Sequence, residues 1–69
     1  MITELCETIL TEPRAVDIKT LIEEVKRKGP LDLSLQDRKV INDVIENPKV
    51  IEEYSDLLDE LAGVILFEG

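Results

Sequence analysis

Ser34, Ser55 and Cys6 are side chains of this 69-residue sequence that could attack a bond, and nucleophiles of that kind need a neighbouring base to take their proton. There is no histidine in the chain, so none of the three can be built into a Ser-His or Cys-His arrangement. Carboxylates are plentiful, but with 16 acidic residues in so short a chain some must be close together by chance, and their pairing says little about acid/base work.

Metal and cofactor chemistry fare no better. A zinc site would lack ligands, with one cysteine and no histidine. A calcium-loop register can be drawn through Asp32, Ser34, Gln36 and Asp43 at loop positions one, three, five and twelve. It fails because Asp37 occupies the position where the sharp turn needs glycine, and because Arg38 and Lys39 bring positive charge into the cage. Glycines stand only at 29, 63 and 69, which makes neither a dinucleotide fingerprint nor a phosphate-cradling loop. No catalytic, cofactor-binding or metal residue is assigned, and the chain is not expected to be an enzyme.

Cys6 lies between Leu5 and Ile9 on an apolar stripe and reads as a small buried hydrophobe. Glu4 and Glu7 beside it would push its pKa up, away from reactivity. A single cysteine forms no intramolecular disulfide, which fits a reducing compartment. No basic segment followed by an apolar run opens the sequence, and the longest apolar stretch, Val64 to Phe67, is far too short to span a bilayer. The expected location is cytoplasmic, with no membrane partner.

Charge carries the one positive clue. The net charge is −8, yet the first 41 residues hold eight acids and seven bases, whereas the last 28 hold eight acids and only Lys49. Glu52, Glu53, Asp56, Asp59 and Glu60 concentrate on one segment, where like charges four residues apart repel if the segment is helical. A stretch that breaks a local stability rule is a candidate working surface, here one that binds a basic protein partner. The only basic cluster, Lys26, Arg27 and Lys28 with Arg38 and Lys39 beyond a turn, suits a helix C-terminus. Its alternative reading is a helix-turn-helix-like element contacting nucleic acid, with residues after Ser34 as the reading helix. The net charge argues against it, because phosphate contacts dominate such affinity.

These residues must be positioned by helices. Ile2, Leu5, Cys6, Ile9 and Leu10 recur at helical spacing and predict a first, short helix over 2–11. Pro13, suited to a first helical position, predicts a second helix to Lys28 with Ile18, Leu21, Ile22 and Val25 inward and Gly29-Pro30 as its stop. Leu31-Asp32-Leu33 alternates and reads as an extended connector. Ser34, with Asp37 three residues on, opens a third helix to about Glu46 carrying Val40, Ile41, Val44 and Ile45. Asn47-Pro48 breaks it and starts a fourth, with Ile51, Tyr54, Leu58, Leu61 and Ile65 flanked by Val50, Leu57 and Val64. Gly63 predicts a stop near Ala62, leaving Val64 to Phe67 as a short extended tail.

The expected architecture is a single all-α bundle of about four short helices over residues 1–69. Its core is aliphatic, drawing on 24 Ile, Leu and Val residues against two aromatics, Tyr54 and Phe67. So small a core makes a homodimer attractive, and Leu57, Val64, Ile65, Leu66 and Phe67 are the expected interface. The function expected from these features is that of a small interaction or regulatory protein, an inhibitor, adaptor or nucleic-acid mimic. The alternatives are the nucleic-acid reader and a purely structural assembly subunit.

Overall fold

Apolar side chains recur every three to four positions along most of the chain, and the backbone answers with helices and no strand among the described residues. The computed structural model describes residues 2–67, the side chain of Phe67 excepted. Helix α1 spans Ile2–Thr11, α2 Ala15–Lys28, α3 Leu35–Glu46 and α4 Pro48–Phe67, with one 3-10 turn at Pro30–Asp32. The four pack as an all-α bundle whose shortest member is α1, with 10 residues against 20 in α4.

The chain's punctuation sets most of the boundaries. Ser34 Oγ accepts the Asp37 backbone N–H at 3.0 Å, satisfying one of the donors that the first turn of α3 leaves unpaired. Asn47 serves two helices at once. Its N–H donates to the Val44 carbonyl at 3.2 Å to end α3, while its Oδ1 accepts from the backbone N–H groups of Lys49 and Val50 at 3.0 and 3.3 Å to begin α4. Pro48 at the first position of α4 loses nothing by lacking a donor there. Gly29 closes α2 with φ +91°, a backbone that a side chain resists, and its N–H reaches the Val25 carbonyl at 2.9 Å.

Four expectations are corrected. Helix α2 begins at Ala15 rather than Pro13. The last turn of α1 closes through the Glu12 N–H on the Thr8 carbonyl, so Pro13 and an extended Arg14 (φ −137°, ψ 140°) are needed to reverse the chain. The Leu31-Asp32-Leu33 segment is not an extended connector. Pro30 and Leu33, three apart, are both buried and draw the linker into a 3-10 turn closed by Asp32 N–H to the Gly29 carbonyl at 3.0 Å. Helix α4 runs through Gly63 to Phe67, so the Val64 to Phe67 tail is helical. Gly63 lacks the positive φ that a glycine stop requires, and Leu61 and Val64 on either side of it are held in the core. Finally, Ile51 is exposed, and its neighbour Val50 takes the inward position.

Helix α4 is also bent, at Tyr54 (φ −133°, ψ 37°). A straight helix of this length would span about 30 Å at the usual rise per residue. The molecule's longest dimension is 27 Å, so a bend keeps both halves of α4 against the other helices. Helix α1 packs on α2 and α3, and α4 covers the same two helices. Between them lie Ile9, Ile18, Leu21, Ile22, Ile41 and Leu61, all fully buried, with Cys6, Val25, Val44 and Val50 filling the gaps. No polar or charged side chain enters this core among the described residues.

Candidate functional site

Burying Val50, Leu58, Leu61 and Val64 against α2 and α3 turns the opposite side of α4 to solvent. That side presents Glu52, Glu53, Asp56, Asp59 and Glu60, all exposed. Glu60 lies at its margin, 3.5 Å from the Lys26 ammonium of α2, a solvent-exposed pair worth about 0–1 kcal/mol. Among the described residues no ion pair reaches Glu52, Glu53, Asp56 or Asp59. The bend changes one element of the expected repulsion. Glu52 and Asp56 lie on either side of Tyr54 and are not regular helical neighbours, whereas Asp56 and Glu60 remain so, with Lys26 offsetting the latter. The negative surface thus narrows to four unpaired carboxylates and one partly neutralised.

The basic residues are placed very differently. Arg27 pairs with Glu24 one turn back on α2, and Lys28 reaches Asp37 of α3 at 3.2 Å. Arg38 donates to the Pro30 carbonyl at 2.6 Å, tying α3 to the linker, and Lys39 is exposed. Four of the five candidate nucleic-acid contacts, Lys26, Arg27, Lys28 and Arg38, therefore hold partners within the chain.

Sequence reasoning missed the node at Asp37. Its carboxylate, 13% exposed, accepts from Thr3 Oγ1 of α1 at 3.1 Å and from Lys28 of α2, joining the ends of three helices. Burial alone would raise its pKa. The hydrogen bonds from Lys28 and Thr3, the Lys28 charge and the Ser34 backbone N–H outweigh burial and hold it below the ordinary value of 3.8. The only signal in the sequence was the Ser34–Asp37 spacing, which foretold the cap and not the tertiary contacts.

Cys6 is fully buried, and its pKa is pushed up to about 12 by burial first and then by the charges of Asp37, Asp43 and Glu7. Two of those carboxylates come from α3, which packs on α1, so Glu7 and not Glu4 is the local contributor. The thiol is inert.

Of the residues expected at a subunit interface, Val64 is 5% exposed and belongs to this chain's own core, while Leu57 and Ile65 are half-buried at its edge. Leu66 is 72% exposed. The Phe67 side chain lies outside the described residues. Ile65 and Leu66 line an open groove of about 370 Å³ with Arg38, Ile41, Asn42, Ile45 and Ala62. The small side chain of Ala62 lies across from the isoleucines of α3, and a larger residue there would fill space the groove leaves open. Within the calcium-loop register, Gln36 and Asp43 lie on α3, so that stretch is a capped helix N-terminus. No helix among the described residues is long and apolar enough to cross a membrane.

No protein-family model matches the chain, and neither does any curated protein or any solved structure.

Proposed function

We propose that the chain is a small interaction or regulatory protein whose acidic α4 face binds a cationic protein surface. The observation that carries this reading is the contrast between the two charge sets. Lys26, Arg27, Lys28 and Arg38 are engaged within the bundle, while Glu52, Glu53, Asp56 and Asp59 stand exposed on one helix with no cation on them among the described residues. A face of that kind raises the encounter rate with a positive patch and rejects negative ones. It suits an inhibitor or adaptor, including one that occupies the site where a basic protein would hold nucleic acid.

Reading nucleic acid directly is the weaker alternative. A helix-turn-helix needs its two helices packed on each other, whereas α2 and α3 each pack mainly on α1 and α4. The test is capture from a lysate of the native source by the immobilised chain, at low and at moderate salt. A basic protein retained at low salt and lost on Glu53→Gln/Asp56→Asn/Asp59→Asn substitution supports the proposal. Retention of nucleic acid with a steep salt slope, or a capture profile that the substitutions leave unchanged, contradicts it.

A further inference from the structure

The acidic face and the groove between α3 and the end of α4 meet along one edge. Ala62 lines the groove, and Asp59 stands exposed one turn before it on α4. On the other wall the Asn42 side-chain N–H donates to Glu46 Oε2 at 3.2 Å, so a second exposed carboxylate is fastened one turn beyond a lining residue of α3. Arg38 lies on that wall one turn before Asn42, with its guanidinium on the Pro30 carbonyl. Along α3 the groove therefore has a cation towards the start of the helix and a carboxylate towards its end.

Between these charges the lining is aliphatic. Ile45 and Ile65 are half-buried and Leu66 is exposed, so apolar surface is left open to a partner. Arg38 and Ile45 are two turns apart on α3, which makes the trough about 10 Å long in that direction. An open apolar trough of two turns matches the side chains that one face of a short helix presents every three to four residues.

We propose that the cationic partner docks as a basic amphipathic helix, with its apolar side in this groove, its lysines or arginines on Asp59 and Glu46, and its C-terminal end at Arg38. The inference rests on the reading of the α4 face as a site for a basic protein surface, and it names the form of that surface. Charge selects both the occupant and its direction. Carboxylates on each wall attract cationic side chains. Arg38 would repel such side chains, but it favours the partial negative charge that a helix carries at its C-terminus. The docked helix then runs antiparallel to α3. Apolar burial holds the helix, and the carboxylates set which helices are accepted. A basic segment without an apolar face would meet the carboxylates alone and leave the groove unfilled.

Calorimetric titration of the full 69-residue chain with two synthetic peptides of the same lysine and leucine content tests it. One peptide places its leucines at i, i+3, i+4 and i+7, and the other is scrambled so that it has no apolar face. The amphipathic peptide is expected to bind about tenfold more tightly or better, and Ala62→Gln or Leu66→Ser should remove that advantage. Val16→Ser, at an exposed site on α2, should leave it intact, while Glu46→Gln/Asp59→Asn should weaken both peptides. A spin label on the N-terminus of the amphipathic peptide should broaden the amide resonances around Glu46 more than those around Arg38. Circular dichroism checks each fold, and Leu66→Ser stands alone if Ala62→Gln loses helix. Equal binding of the two peptides, an advantage indifferent to the groove substitutions, or the reverse broadening pattern overturns this inference and leaves the acidic-face reading in place. If neither peptide binds, both fall together. Tighter binding of a helix of glutamate and leucine, or a dimer of the chain that Leu66→Ser abolishes, assigns the groove to another occupant and also overturns the proposal.

Discussion

Cys6 lies on α1 and Asp37 on α3, two helices that pack together, and each is defined by what surrounds it rather than by its own type. The thiol at about 12 is protonated at any physiological pH and fully covered. It should therefore react with a thiol reagent only as fast as the bundle opens, and a native chain labelled as quickly as the unfolded one would refute its placement. Asp37 is stabilised in its charged form, so its contribution is complete above the ordinary carboxylate value and is lost as pH falls through its depressed folded value. The difference in unfolding free energy between the native chain and Asp37→Asn should be constant at neutral pH and shrink below about pH 4. A difference that grows on acidification would contradict the Lys28 and Thr3 contacts. At Gly29, φ +91° is a conformation that Ala tolerates poorly, so Gly29→Ala should destabilise by about 1–3 kcal/mol in a denaturant titration.

Among the elements, the boundaries written by side-chain chemistry were legible and those decided by tertiary packing were not. Ser34, Asn47-Pro48 and Gly29 each act through groups within four residues, so spacing alone located them. The start of α2 depended on the reversal after α1, and the 3-10 turn depended on Pro30 and Leu33 both finding the core. Gly63 predicts a stop because helices commonly end at a glycine, but Leu61 and Val64 are anchored on either side of it and override that preference. The bend at Tyr54 has no proline or glycine to announce it. Because Asn47 caps α4 while ending α3, Asn47→Ala should cost about 1 kcal/mol or more in chemical denaturation. A neutral result would show that Pro48 alone fixes that corner.

At the scale of the molecule, the aliphatic periodicity was sufficient to foretell an all-α bundle and nearly all of its buried residues. The acidic face was legible as a charge asymmetry, yet its pairing was not. Lys26 and Glu60 are 34 residues apart in the chain and meet only because α2 packs on α4. The groove left no mark in the sequence beyond the small Ala62, since a hollow is made by what two helices jointly fail to fill. If the α4 face binds a cationic partner as proposed, it does so through the position of its carboxylates and not through net charge. The most direct measurement compares partner capture by two variants that remove the same charge. Glu53→Gln/Asp56→Asn/Asp59→Asn strips α4, and Glu4→Gln/Glu7→Gln/Glu23→Gln strips exposed carboxylates from α1 and α2. Capture lost in the first and kept in the second is the predicted result; equal loss in both, or loss in neither, would contradict the claim.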